Sequence, residues 1–163
     1  MTRAEIIIRQ ATPDDGPELL ALIRIAMAVY ARNSGISSLL DAQRETLDEL
    51  LGHIRTDYVL VAEHRGKLAG TVRLNVGSDH AAYFSRFAVM PALQQTGVGK
   101  MLYQEAEAYL RDRQVHSICL HTALTNQPLV AFYQARGFVL TETRTDRGYP
   151  RGLFVKNLAG DRM

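Results

Sequence analysis

A single cysteine, Cys119, among 163 residues excludes an intramolecular disulfide and fits a reducing compartment. Long apolar runs are absent as well. The opening MTRAEIIIRQ offers only three isoleucines before Arg9, too few for the apolar stretch of a signal peptide, and no segment is long enough to span a bilayer. The expectation is a cytoplasmic protein without a membrane partner. Charge of one sign is not in excess: 19 Lys and Arg against 17 Asp and Glu leave +2, too little to imply nucleic acid by itself. The arginines of the Arg144, Arg147, Arg151 set can attract a small polyanion or simply remain solvated. His53, His64, His80 and His116 show no His-Glu-x-x-His spacing, and Cys-x-x-Cys does not occur, so no metal is expected.

What is present suits one globular domain over residues 1–163. Hydrophobic residues make up 47% and charged residues 22%, and a chain of this length buries about two-thirds of its unfolded surface. A β-branched run at Glu5 to Arg9 leads into a helix that Thr12 or Asp14 can cap and whose Leu19, Leu20, Ile23, Met27 and Tyr30 share a face. LLDAQRETLDELLGHI reads as one further amphipathic helix. DYVLVAEHRGKLAGTVRLNVG reads as a hairpin about Arg65-Gly66, and AAYFSRFAVM as a strand stopped by Pro91. From Gly97 to about Arg113, Val98, Met101, Leu102, Ala106, Tyr109 and Leu110 line one helical face. A strand (HSICLHTAL), a helix (NQPLVAFYQAR) ended by Gly137, and two closing strands follow.

Between the Pro91 strand and the next helix lies QQTGVGK. A P-loop would have glycine at Gln94 and Ser or Thr at Met101; a dinucleotide fingerprint would have a third glycine at Leu102 and an acidic residue at the following strand end. Neither fits. What remains is a Gln94-x-x-Gly97-x-Gly99 turn into a helix start, where unpaired N–H groups, the dipole and Lys100 suit a pyrophosphate. The plainer alternative is that both glycines only shape the turn.

FAVMPALQQTGVGKMLYQEAEAYL followed by LHTALTNQPLVAFYQARGF resembles the acyl-CoA-binding core of the GCN5-related N-acetyltransferase (GNAT) family. Gln94, Gly97 and Gly99 match its loop, and Asn126, Phe132, Tyr133, Gly137 and Phe138 match its second signature. The resemblance is strong from about Tyr83 to Phe138. It implies an α/β fold with a central mixed, mostly antiparallel sheet flanked by helices, and acetyl-CoA as co-substrate. It also implies that backbone groups of Phe87, Ala88 and Val89 meet pantetheine while Gln95, Thr96, Gly97, Val98, Gly99 and Lys100 wrap the pyrophosphate.

By the same resemblance Asn126 sits where the strands diverge, with helix capping as its alternative role. Tyr133 matches the family's general acid, a phenol with ordinary pKa near ~10 that stays neutral yet can protonate a departing thiolate. His121, where some branches use a carboxylate, is a candidate base beside a water-mediated route. Glu63, Ser85 and Tyr83 are weaker candidates whose orientation depends on strand register. Core packing is the expected role of Cys119.

The implied reaction moves an acetyl group directly to a primary amine of a small molecule or peptide. Tyr30, Arg32, Asn33, Tyr149 and Arg151 are candidates to line the acceptor pocket, and Arg32 and Arg151 would favour a carboxylate or phosphate on it. A non-catalytic acyl-CoA sensor is the alternative, though an inert module has no need of Tyr133. A nucleic-acid partner is not expected, since no basic helix with interleaved aromatics accompanies the pI of about 8.8. Homodimerisation through the closing strands or early helices fits the family pattern and is left undetermined by the sequence.

Overall fold

Two β-rich runs, Tyr58–His64 (β2) and Lys67–Val76 (β3), are joined by Arg65 and Gly66, both at positive φ (52° and 80°), as tight hairpin turns require. In the computed structural model, which describes residues 5–158, they are the second and third strands of a seven-stranded sheet. The remaining strands are β1 (Ile6–Gln10), β4 (Ala81–Val89), β5 (Ser117–Ala123), β6 (Val139–Arg144) and β7 (Arg151–Asn157). The order is β1-β2-β3-β4-β5-β7-β6. Among the described residues only β4 and β5 run parallel and every other pair is antiparallel, giving the expected mixed, mostly antiparallel sheet.

Helices cover both faces because strand alternation splits the apolar residues between them. Val59 and Val61 of β2 face one core with Leu19, Leu22 and Ile23 of α1 (Gly16–Asn33). Leu60 and Ala62 face the other, where Leu102 and Leu110 of α4 (Val98–Asp112) and Val130 and Tyr133 of α5 (Gln127–Ala135) pack. No helix of the described residues is long and apolar enough to cross a membrane.

The helix expected over residues 39–54 is two: α2 (Asp41–Arg44) and α3 (Leu47–Thr56). Glu45 between them is extended, with ψ 132°, and its carboxylate takes two hydrogen bonds from buried Arg73 at 2.7 and 2.8 Å. Thr46 then restarts the helix with a reciprocal cap: its Oγ1 accepts from Glu49 N–H, and its own N–H donates to Glu49 Oε1. Near the N-terminus, Thr12 precedes a short 3₁₀ turn and α1 begins at Gly16. Asp15 accepts from Thr12 N–H and pairs with Arg9, whose hydrogen bonds hold its carboxyl down at about 2.

One irregularity opens the sheet. β4 and β5 pair only from Ala81↔Ser117 to Tyr83↔Cys119, although both strands continue beyond. Opposite β3, Thr71 meets Ala88 while Arg73 meets Ser85, so Arg86 and Phe87 together face Val72. Arg86 takes φ 52° in this bulge, and a bulge bends and twists its strand. On the β5 side, the N–H of Ala123 goes to the Tyr30 hydroxyl of α1 at 2.8 Å. β4 and β5 therefore diverge around a gap roofed by α1.

Candidate active site

The glycine loop lies at the β4 side of that gap. Gln95 and Gly97 both have positive φ (65° and 96°), turning the chain sharply into α4, and the Thr96 hydroxyl bonds the Leu93 carbonyl. α4 has no side-chain cap at its start, so its first N–H groups face outward unclaimed by a capping side chain. The two glycines do different work. Gly97 supplies the left-handed backbone with open space around it, whereas a Cβ on Gly99 would lie 3.2 Å from Phe87 Cζ and 3.6 Å from Val89 Cγ2. Gly99 lets the helix start sit against β4.

A cavity of about 730 Å³ runs from this loop along β4 to α5. It is lined by Phe87, Ala88, Val89, Gln94, Gln95, Gly97, Gly99, Lys100 and Asn126, together with Asn33, Pro128 and Phe132. Thr96 is exposed outside the lining, and the Val98 side chain is 1% exposed in the core, so only its main chain can serve a ligand here. Asn126 spends its amide locally: Oδ1 accepts from Leu129 N–H (3.3 Å) and Nδ2 donates to Ser34 Oγ (3.2 Å). It caps α5 and ties that helix to the end of α1.

A second cavity of about 160 Å³ adjoins the first, and it brings together Tyr133 and His121 with Tyr83, Ser85, Tyr149 and Arg151. Met27, Tyr30, Phe87 and Leu129 line both cavities, so the chambers meet at the bulge of β4. Glu63 is elsewhere, bound to Arg9 at 2.7 Å, and neither it nor Arg32 lines either chamber. Arg86, Met27 and Leu129 are lining residues that sequence reasoning passed over; the β4 bulge, α1 and α5 respectively bring them in.

Electrostatics separate the two candidate proton carriers. Burial pushes the Tyr133 phenol far above its ordinary range, with the nearby phenols of Tyr30 and Tyr83 adding to it, so it stays protonated. Burial lowers His121, and Arg151, Arg144 and Arg147 lower it further against a weaker opposing pull from Glu142, so it stays neutral near pH 7. His121 Nδ1 lies 2.7 Å from the Tyr83 hydroxyl. One wall thus presents a neutral acid and a neutral base. Among the described residues, no group of three or more His, Cys, Asp or Glu is placed to hold a metal ion.

The sequence matches the family model described as the acetyltransferase (GNAT) family over residues 22–138. It is 38% identical over 82 residues to the peptidyl-lysine N-acetyltransferase YiaC of Escherichia coli strain K12, a match spanning about half the length of each protein. Its fold is similar to that of the PaiA N-acetyltransferase of Thermoplasma acidophilum solved with coenzyme A (TM-score 0.83, 21% identity, 96% and 99% of the two chains). It is also similar to that of Salmonella typhimurium yncA solved with acetyl-CoA (TM-score 0.76, 17% identity, 94% of each chain). The family match takes in most of α1, the diverging strands, the glycine loop and all of α5, and on that ground the chain belongs to the GNAT acetyltransferase family.

Proposed function

We propose that this acetyltransferase, one domain over residues 1–163 working in the cytoplasm, moves the acetyl group of acetyl-CoA directly to a primary amine. The observation that carries the reading is the pair of chambers joined at Phe87, one leading to the glycine loop and the other to Tyr133 and His121. That two structures of the same fold hold coenzyme A or acetyl-CoA supports the choice of donor. Pyrophosphate rests on the N–H groups from Gln95 to Lys100. Pantetheine lies along Phe87, Ala88 and Val89, adding to the β4 edge that β5 leaves unpaired, and its thioester reaches the junction.

The amine enters from the smaller chamber. Its nitrogen bonds the acetyl carbon while the carbon–sulfur bond breaks, and a β4 backbone N–H steadies the oxyanion between them. The nitrogen gives one proton to His121, directly or through water, and the sulfur takes one from Tyr133, which solvent later restores. Atoms and charge balance without a covalent acetyl-enzyme, consistent with Cys119 lying outside both chambers.

Calorimetry with acetyl-CoA, followed by a free-thiol screen across primary amines, tests the reading. Saturable uptake with amine-dependent thiol release is expected. Uptake without release to any amine would favour the sensor, and no uptake would overturn both. Gly97→Ala places a side chain at φ 96° and is expected to cost about 1–2 kcal/mol of stability, read from denaturant midpoints, together with weaker acetyl-CoA binding.

The proton-accepting role also sets a pH profile. Neutral His121 is the active form and its pKa is lowered, so kcat is expected to fall with acid only below about pH 6.5 and to stay level above it. His121→Gln should abolish that acid limb. An unchanged limb in the variant would assign the proton to the water route.

A further inference from the structure

The smaller chamber holds more positive charge than the fold uses. Arg86 from the β4 bulge, Arg147 from the β6–β7 turn and Arg151 from the start of β7 line it, against a single carboxylate, Asp41. Arg147 is committed: its Nη1 donates to Asp41 Oδ2 at 2.9 Å. Arg86 and Arg151 are different. Their side chains are only 24% and 12% exposed, and the Nε of each is buried with no hydrogen-bond partner among the described residues.

The carboxylates nearest to them do not fill the need. Glu45 Oε1 is 3.7 Å from Arg86 Nη2, beyond hydrogen-bond reach, and that carboxylate already receives both Nη atoms of Arg73. Asp146 Oδ1 is 4.0 Å from Arg151 Nη2 and its side chain is 59% exposed. Two largely buried guanidinium ions without a close carboxylate are costly, and an anion reached by their Nη groups would offset that cost. The orphan Nε alone is no such sign, since Arg73, paired with Glu45, has one too. Both line the same chamber, with Tyr83 in its wall. Ser85 and Tyr149 add hydroxyl donors to a wall that is otherwise in good part apolar, and the sole carboxylate there is held by Arg147.

We propose that the amine acceptor carries a carboxylate or phosphate, held in the smaller chamber by the guanidinium groups of Arg86 and Arg151. This rests on the N-acetyltransferase reading of the same site. Guanidinium forks match either oxyanion bidentately. The anion anchors one end of the acceptor, and the amine is left to reach the junction at Phe87, where the thioester would lie. A polyamine has no anchor here and meets like charge instead.

Two matched sets of primary amines decide it, with acetyl-CoA saturating and thiol release as readout. One set holds amino acids and O-phosphoethanolamine; the other holds the amino acid amides and ethanolamine. The first set is expected to exceed the second in kcat/KM by about 10–100-fold, the worth of one or two charge-assisted hydrogen bonds, and comparison within it separates carboxylate from phosphate. Arg86→Gln and Arg151→Gln should each narrow the gap through KM for the anionic amine, with acetyl-CoA affinity kept. Equal use of the two sets, or preference for polyamines, overturns the inference while leaving the transferase reading in place.

If neither set is acetylated, inorganic phosphate titrated into the acetyl-CoA complex decides the inference without turnover. Saturable shifts of the Arg86 and Arg151 Nε–H resonances in NMR support an anion seat, and unmoved resonances overturn it. Loss of acetyl-CoA binding itself would instead count against the reading on which the inference rests.

Discussion

Tyr133→Phe is expected to lower kcat by about 10²–10⁴-fold, the usual worth of a placed general acid, with acetyl-CoA affinity close to that of the unaltered protein. The side chain is 4% exposed, and its ring meets Phe84, Phe132 and Phe138 edge-on at centroid distances of 6.0, 5.6 and 5.7 Å. Phenylalanine keeps all of that packing. The phenol oxygen makes no hydrogen bond to the described residues, so its removal breaks no protein bond, and stability should change by less than about 1 kcal/mol. A rate effect can then be separated from unfolding by thermal denaturation of the same sample.

The high pKa of Tyr133 does not disqualify it as the acid. Burial penalises the phenolate, and the thiolate forming in the same poorly solvated place is penalised for the same reason. The two acids rise together, so the proton can still move as the carbon–sulfur bond breaks. His121, lowered by burial and arginine charge, starts the reaction neutral near pH 7 and so brings no proton of its own for the sulfur. Steady-state thiol release at saturating acetyl-CoA checks the expectation. Full turnover by the variant would mean that the sulfur draws its proton from water.

The glycine loop and Tyr133 were legible because their signals are local. A glycine at a helix start, a proline after a strand and an Asn at a cap each act within a few residues. The break between α2 and α3 escaped the sequence reading, because the unbroken apolar pattern on either side masks the Thr46-x-x-Glu49 capping box that restarts the helix. Arg86 carries no such mark. Its entry into the chamber follows from a bulge against β3, and its meeting with Arg151 needs β7 to lie beside β5. Both are facts of long-range pairing that composition and periodicity do not encode. Arg32 shows the converse, since a plausible residue on the right helix end lines neither chamber.

Glu45→Ala is expected to destabilise the fold by about 3–5 kcal/mol, a fall in Tm of roughly 6–20 °C for a chain of this length. Glu45 and Arg73 are 6% and 5% exposed, joined by two hydrogen bonds, and Arg24 further ties the Glu45 carbonyl at 3.2 Å. Burial alone would raise the Glu45 carboxyl; the hydrogen bonds and charge of Arg73, with Arg86 and His53, outweigh it and hold the group below its usual range. A depressed carboxyl contributes stability above its unfolded pKa of about 4.3, and that contribution is lost as pH falls through the lower folded value. Alanine leaves Arg73 in the core with like-charged Arg86 nearby, whereas Glu45→Leu combined with Arg73→Leu removes both charges and should restore most of the loss. If the double variant is as unstable as Glu45→Ala, the cost lies in the packing of the α2–α3 link rather than in the abandoned charge. The same pair matters to the chamber, because Glu45 is the nearest carboxylate to Arg86, and its commitment to Arg73 leaves Arg86 available to an acceptor.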